Sequence, residues 1–285
     1  MKQIRFYLLN ELRQRYPENE SESITRLILE HAGFPLSVCL LEPEKVTSST
    51  VIAQINKIVD EIHTGRPIQY ILGQTQFCTI KVGVDESVLI PRPETEEMVH
   101  LILSEYKQKF RRIIDLGTGS GCIALALKHH FPDAQVTGLD VSKKAVSVAK
   151  RNGRLNGLEV LWVEGDLLNE GDLVSAGTLN KKDLFDLVVS NPPYVLESEK
   201  KFMEDNVLQH EPGTALFVKD DDPLLHYLAI LGFCEKHLVA GGQLWVEINE
   251  RFGRKIATLF ENAGYQQVVV LKDIHEKERF INARK

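Results

Sequence analysis

The sequence predicts an α/β protein built on a doubly wound, mainly parallel sheet, with a small helical bundle ahead of it. Three observations predict this. From Arg111 onward, short apolar runs alternate with amphipathic helical patterns. A glycine-rich turn, Asp115-Leu116-Gly117-Thr118-Gly119-Ser120-Gly121, falls where the first of those strands passes into a helix. Before Gly65, apolar residues recur at helical spacing instead.

In the first part, Ile4, Leu8, Leu9 and Leu12 mark one helix, and Ile24, Leu27, Ile28 and His31 a second that stops at Gly33. A third, from about Ser49, carries Ile52, Ile55, Ile58, Val59 and Ile62 on one face, and Pro67 follows its end. Phe77, Cys78 and Ile80 to Val84 mix β-formers with Gly83 and suit a hairpin. The prolines of Leu89-Ile90-Pro91-Arg92-Pro93-Glu94-Thr95-Glu96 impose an extended approach to a helix that begins at Glu94 or Thr95 and holds Met98, Val99, Ile102 and Leu103. Strands are expected at Ile113 to Leu116, Val136 to Leu139, Val160 to Val163, Leu184 to Val189 and Gln243 to Ile248. Gln267 to Leu271 and Arg279 to Ala283 follow. Helices are expected after the glycine turn, from Val141 to Asn152, from Pro223 to about Leu238, and near Arg254 to Asn262, and a surface loop from Asn169 to Lys182. The chain thus divides into a helical domain 1–73, a hairpin linker 74–90 and an α/β domain 91–285.

Bulk properties narrow the function classes. The 285 residues, 43% hydrophobic and 26% charged, suffice for a buried core in a catalytic domain plus a smaller one. A formal net charge of -6 argues against a protein devoted to gripping a nucleic-acid backbone. The cysteines, Cys39, Cys78, Cys122 and Cys234, form no C-x-x-C pair and lack a histidine at zinc-ligand spacing, so neither a disulfide framework nor a metal is expected. Met1 to Tyr16 is charged throughout, unlike a signal peptide, and no apolar run reaches the roughly 20 residues that cross a bilayer.

Glycines at a strand-to-helix turn let backbone approach a ligand, with helix N–H groups aimed at it. Dinucleotide sites prefer G-x-G-x-x-G. Here the third glycine falls one place early and Cys122 occupies the expected position. The Asp-led Gly-x-Gly-x-Gly turn resembles the first motif of class I methyltransferases instead. That resemblance implies that Gly117, Thr118, Gly119, Ser120 and Gly121 hold the methionine part of S-adenosyl-L-methionine. Asp140 ends the second strand, where a carboxylate accepts ribose hydroxyls, and Asp166 with Leu167 resembles the pair that meets the adenine. A lone acid at a strand end is also a common helix cap. Their placement on successive strand ends favours the ligand reading.

Ser190-Asn191-Pro192-Pro193-Tyr194 follows the fourth strand directly. Asn-Pro-Pro is good turn chemistry by itself, but a strand carboxyl end in the same sheet as the glycine turn is where ligands bind. Asn-Pro-Pro-Tyr there resembles methyltransferases of planar amide or amino nitrogens. With Pro67-Ile68-Gln69-Tyr70-Ile71-Leu72-Gly73, Phe77, the segment Leu89 to Glu96, Glu211-Pro212, Ala215-Leu216 and Glu247-Ile248, the chain resembles, over nearly its whole length, the bacterial protein-(glutamine-N) methyltransferases of the HemK/PrmC family, which modify peptide-chain release factors. Asn249 and Phe252 depart from the Gly and Gln that the family often carries, and Lys219 to Pro223 lacks an expected glycine; these departures bear on local loop geometry.

The resemblance implies a Rossmann-like class I methyltransferase domain with S-adenosyl-L-methionine as cofactor and no metal. Asn191, Pro192, Pro193 and Tyr194 would be catalytic, with Asn191 also touching the cofactor and Arg92 and Pro93 bordering the substrate channel. An amide nitrogen is a poor nucleophile because its lone pair is delocalised. The Asn191 side-chain oxygen and the Pro192 carbonyl would each accept one of its N–H groups, favouring the transition state as positive charge develops, and Tyr194 would pack on the flat amide. The helical domain would dock a class 1 release factor and admit its Gly-Gly-Gln loop. The family reading is of a monomeric cytoplasmic enzyme of translation termination that contacts neither nucleic acid nor membrane. Its alternatives are a ribosomal-protein glutamine methyltransferase, a DNA or RNA adenine amino-methyltransferase, an NAD-dependent oxidoreductase and a non-catalytic module.

Overall fold

Apolar spacing organises the first seventy residues. α1 (Lys2–Leu12) buries Leu8, Leu9 and Leu12, α2 (Glu18–His31) buries Ile24, Ile28 and Leu29, and α4 (Ser49–His63) buries Ile55, Ile58, Val59 and Ile62. Fully burying each such side chain contributes about 1.5–3 kcal/mol. Pro17 precedes α2, whose first turn carries Glu18 and Glu20, the sign its dipole favours. Ser48 caps α4 by accepting a hydrogen bond from Val51 N at 3.3 Å. Two short helices, α3 (Leu36–Leu41) and α5 (Ile68–Leu72), join the three expected ones. Pro67 opens α5, where a missing N–H costs nothing. Ile52 departs from the expected face of α4 and is 44% exposed.

The structure is a computed structural model that describes residues 2–41, 48–106, 110–169, 179 and 183–285. The expected loop Asn169 to Lys182 lies outside the described residues except for Asn169 and Leu179, and the side chain of Cys39 is likewise outside them. The chain forms two compact units. Met1–Gly73 and Glu204–His210 make the first, so that α9 (Asp205–His210) counts with the helical bundle. Gln74–Met203 and Glu211–Lys285 make the second, which includes the hairpin of β1 (Gln74–Phe77) and β2 (Ile80–Gly83).

The second unit is built on a seven-stranded sheet. Its strands are β3 (Arg112–Leu116), β4 (Gln135–Asp140), β5 (Leu161–Glu164), β6 (Phe185–Ser190), β9 (Leu238–Glu247), β10 (Gln266–Lys272) and β11 (Glu278–Arg284). The order is β10-β11-β9-β6-β3-β4-β5. Every pair from β9 to β5 is parallel, and the β11 pairs are antiparallel. Helices α6 (Pro93–Glu105), α7 (Cys122–His130), α8 (Lys143–Asn156), α10 (Leu225–His237) and α11 (Gly253–Asn262) connect or flank the strands. This bears out the doubly wound, mainly parallel sheet with a helical region before it.

β3 is buried along Ile113 to Leu116, as a central strand covered on both faces must be. The largest fully buried side chains include Trp245, Tyr227, Phe185, Phe233 and Phe260. The chain runs from β3 outward through β4 to β5, then returns to β6 on the other side of β3. The order therefore reverses between β3 and β6, and the carboxyl ends beside such a reversal are where ligands bind. Short strands β7 (Val195–Leu196) and β8 (Phe217–Val218) pair beyond β6. No helix among the described residues is long and apolar enough to cross a membrane.

Candidate active site

The glycine turn leaves β3 with Gly117, Gly119 and Gly121 at φ of 74°, 54° and 82°. These are left-handed conformations that a side chain strains. Gly117 N and Thr118 N both donate to Leu139 O at 2.9 Å, which pins the turn to the end of β4. Asp115 is fully buried beneath it; its Oδ2 accepts from the Thr118 hydroxyl at 2.6 Å and Ala124 N at 3.3 Å. Burial pushes the Asp115 carboxyl up to about 7. Asp140 holds the turn from the next strand, accepting Gly119 N on Oδ2 and Ser142 N on Oδ1, both at 2.8 Å. Burial raises its pKa against those two hydrogen bonds.

The loop after β6 abuts this turn. The Ser190 hydroxyl donates to Leu116 O at 2.7 Å. Asn191 O lies 4.0 Å from where a Cβ on Gly117 would stand. A cavity of about 880 Å³ opens over both loops. It is lined by Gly117, Thr118, Gly119 and Ser120 on one side and by Asn191, Pro192 and Pro193 on another. Asp140, Asp166, Leu167 and Arg92 complete the expected lining.

Three expected site residues stand elsewhere. Gly121 does not line the cavity: a Cβ there would meet Trp162 Cη2 at 2.6 Å and Ala149 Cβ at 3.1 Å, so this glycine admits a tryptophan against the turn. Pro93 is the first residue of α6, and Pro91 lines the cavity instead. Tyr194 packs against the core of the sheet, and its hydroxyl donates to Glu247 Oε1 at 2.8 Å rather than facing the cavity. Burial and the neighbouring carboxylate hold its pKa well above the ordinary phenol value, so it remains a donor.

Thr95 and Glu247, in the segments Leu89 to Glu96 and Glu247-Ile248, carry no expected role. The structure joins them: the Thr95 hydroxyl donates to Glu247 Oε2 at 2.7 Å, and Asn191 Nδ2 donates to Thr95 Oγ1 at 2.9 Å. A glutamate closing the apolar run Leu244-Trp245-Val246 is the signal that could have found this, since a buried carboxylate must have partners. Glu211 is buried and accepts from Arg92 Nη2 at 2.7 Å and Ile90 N at 3.2 Å, which fixes the entry to α6. His226 lines the cavity with its Nδ1 buried and without a partner among the described residues. Burial lowers its pKa, against the opposing pull of Asp166 and Asp222.

Asn249, one of the departures, is buried and donates to Tyr194 O at 3.2 Å and Glu199 Oε2 at 3.0 Å. It therefore braces the loop after β6. The fold also gathers Cys78, Glu96 and His100, whose ligand atoms lie within 4.8 Å of one another, although their spacing in the chain gave no such sign. Burial, with the charge of Glu96 added, pushes the Cys78 thiol up to about 12, and Glu96 Oε1 already accepts Cys78 N at 2.7 Å.

A parallel sheet with a glycine turn and an Asn-Pro-Pro loop over one cavity defines a methyltransferase, and comparison with known proteins agrees. The Methyltransferase small domain model matches residues 95–213 and the PrmC N-terminal domain model residues 7–73. Release factor glutamine methyltransferases are similar over the full length: that of Flavobacterium psychrophilum is 38% identical, covering 99% of this chain and 98% of its own. That of Bacteroides thetaiotaomicron is 36% identical, covering 100% of both. A ribosomal protein L11 methylase from Lactobacillus delbrueckii subsp. bulgaricus is similar in structure at a TM-score of 0.46 and 19% identity, covering 69% of this chain and 80% of its own. The chain belongs to the release factor glutamine methyltransferase family.

Its methyl donor is S-adenosylmethionine, and the residues present fit that group. The cavity is large enough for a nucleoside-sized donor and an entering side chain. A Cβ on Gly119 would meet nothing within 4 Å, so the turn offers an open cradle. Asp140 and the unpartnered His226 Nδ1 supply polar groups along the wall.

Proposed function

We propose that this chain methylates the side-chain amide nitrogen of the glutamine in the Gly-Gly-Gln loop of a class 1 peptide-chain release factor. The observation that carries this is the meeting of the Asn191 loop and the glycine turn on one cavity, with Asn191 held through its NH2 group. That hold leaves Asn191 Oδ1 with no partner among the described residues.

S-adenosylmethionine supplies an electrophilic methyl on a sulfonium. Gly117 to Ser120 cradle its methionine portion, Asp140 accepts the ribose hydroxyls, and Asp166 and Leu167 border the adenine. Asn191 Oδ1 accepts one N–H of the glutamine amide and the Pro192 carbonyl accepts the other. Both acceptors gain strength as the nitrogen becomes positive, so they act on the transition state. Orientation of two bound reactants contributes on the order of 7–11 kcal/mol. Tyr194 takes no part at the substrate and steadies the loop through Glu247.

The helical unit docks the release factor. Phe6 (65% exposed) and Leu41 (82% exposed) supply apolar surface for that contact. The enzyme acts as a cytoplasmic monomer and makes no direct contact with nucleic acid, which suits its net charge of -6.

Mass spectrometry of a purified release factor, after incubation with this protein and S-adenosylmethionine, tests the reading. One added methyl group on the Gly-Gly-Gln glutamine is expected with wild type and none with Asn191→Ala. A methyl group found elsewhere on the factor, or none at all with the donor still bound, refutes it.

A further inference from the structure

Thr95, which lines the cavity, and Glu247 behind it are both buried, and both are spent on one chain of hydrogen bonds. Glu247, at the carboxyl end of β9, accepts from Tyr194 OH on Oε1 at 2.8 Å and from the Thr95 hydroxyl on Oε2 at 2.7 Å. Thr95, in the first turn of α6, accepts from Asn191 Nδ2 at 2.9 Å. β6 and β9 are neighbours, with Ser190 opposite Val246, so Asn191 and Glu247 leave the sheet side by side.

The polarity of this chain is fixed from one end. An ionised carboxylate only accepts, and a hydroxyl has one proton to give. Each oxygen of Glu247 accepts a hydroxyl hydrogen bond, Oε1 from Tyr194 and Oε2 from Thr95, the arrangement of an ionised carboxylate; burial pushes its pKa up, and these two hydrogen bonds and the charge of Arg279 oppose that rise. With its proton committed to Glu247, Thr95 Oγ1 can only accept. It therefore takes the NH2 end of the Asn191 amide and rejects the oxygen end. A side-chain amide is nearly symmetric in shape, and shape alone does not choose between its two flips.

We infer that Thr95, polarised by Glu247, is a positioning residue for methyl transfer: it locks the Asn191 side-chain amide in the flip that turns Oδ1 toward the acceptor nitrogen. This rests on the reading of Asn191 as an acceptor for the glutamine amide. In the opposite flip, NH2 faces an N–H and the pair repels. A lock set before substrate arrives spares the transition state that reorganisation. The Tyr194 hydroxyl and Asn249, which donates to Tyr194 O, brace the same loop from behind.

Steady-state methylation of a purified release factor, with donor affinity measured separately by calorimetry, tests the inference on three variants. Thr95→Val keeps the shape and removes the hydroxyl. Its kcat is expected to fall on the order of 10- to 100-fold, the range for removing one group that stabilises the transition state. Its release-factor KM and donor Kd should stay within about twofold, since valine presents the same shape to the cavity. Thr95→Ser keeps the hydroxyl and should return kcat to within about threefold of wild type, the residue of a looser χ1. Glu247→Gln, whose NH2 end can turn to Thr95 and let the hydroxyl donate to Asn191 instead, should lower kcat with the same KM and Kd and guards against Thr95→Val failing to fold. A Thr95→Val enzyme with wild-type kcat, beside an inactive Asn191→Ala, overturns the lock while leaving the Asn191 reading in place. Loss that Thr95→Ser does not restore also overturns it and marks Thr95 as packing. An Asn191→Ala enzyme as active as wild type instead removes the underlying reading.

Discussion

Gly119 and Gly121 sit two residues apart in one turn, yet alanine should act mainly on donor binding at the first and mainly on stability at the second. At Gly121 a Cβ would lie 2.6 Å from Trp162 Cη2, 3.0 Å from Cζ3 and 3.1 Å from Ala149 Cβ, at a φ of +82°. The indole cannot retreat, because a Cβ on Gly138 would stand 2.6 Å from Cζ3 of the same ring and one on Gly153 3.4 Å from its Nε1. Overpacking of about 1–3 kcal/mol adds to left-handed strain of about 1–2 kcal/mol, so Gly121→Ala should lose roughly 2–5 kcal/mol. At Gly119 a Cβ meets nothing within 4 Å, and only the strain at φ +54° remains. Gly119→Ala should cost about 1–2 kcal/mol of stability. Its added methyl group lies in the cradle, so donor affinity should fall at least about tenfold, some 1.4 kcal/mol. Urea denaturation gives the first quantity and calorimetry with S-adenosylmethionine the second. A double-mutant cycle of Gly121→Ala with Trp162→Leu should show favourable coupling above about 1 kcal/mol, because the smaller side chain vacates the clash. Equal stability losses at the two glycines, or no coupling to Trp162, would refute the assignment of Gly121 to packing.

The other predictions concern groups around the same cavity. Asp115 is held by burial at about 7 rather than the ordinary 3.8, so its favourable contribution is complete below pH 4 and lost as pH rises through 7. That loss is about 4 kcal/mol at roughly 1.4 kcal/mol per pH unit; Asp115→Asn should flatten this part of the stability profile and exceed wild type at pH 8 in urea titrations, and a profile parallel to wild type would refute it. Tyr194→Phe should cost about 1–2 kcal/mol of stability by stripping a donor from buried Glu247 while leaving donor affinity unchanged, and a tenfold loss of affinity would return Tyr194 to the cavity. His226→Phe should weaken donor binding about tenfold without lowering Tm, since Nδ1 has no partner to lose among the described residues; unchanged affinity by calorimetry would deny it a ligand role. Arg92→Ala should cost about 2 kcal/mol, less than the full price of breaking a buried pair because the Arg92 side chain is 30% exposed, and a stability equal to wild type would show that Glu211 needs no partner.

Period and punctuation made the sheet legible. Buried parallel strands read as apolar runs, and the two ligand-facing turns announce themselves with glycine and proline. Element edges were less so. The helix after β4 begins at Lys143 and not Val141 because Ser142 caps it, accepting Ala145 N at 3.2 Å, and Val141 is left 62% exposed. β7 and β8, two residues each, are too short to show a period. That Gly117, Gly119, Asp140, Asp166 and Asn191 share one cavity wall is legible because chain order places them at strand carboxyl ends. Gly121 and Tyr194 lie off the cavity wall for one shared reason: each is decided by a partner far along the chain, Trp162 for one and Glu247 for the other. Nothing local encodes such a pairing. His226 carried no signal at all, since a lone histidine on an apolar helix reads as core.

The buried acids of this site share a physical logic. Asp115 and Glu247 sit at or near the carboxyl ends of β3 and β9, under the two loops that meet over the cavity. Each is pushed up by burial, to about 7 and about 6, and so weakens the fold at neutral pH. Each also accepts a hydrogen bond from a threonine hydroxyl, Thr118 for Asp115 and Thr95 for Glu247. A hydroxyl is a rotor that donates or accepts as its surroundings allow. The Glu247 carboxylate ends that freedom for Thr95, which becomes a fixed acceptor for Asn191 Nδ2. Asparagine or glutamine in place of the acid would relieve the desolvation but restore the choice, because an amide offers a donor as readily as an acceptor. Glu247 therefore contributes direction rather than stability: with its two oxygens taken up by the Tyr194 and Thr95 hydroxyls, the chain that runs through Thr95 to Asn191 has a single sense. For a reaction whose nucleophile is a delocalised amide nitrogen, the direction of the groups around it is most of what the protein can supply.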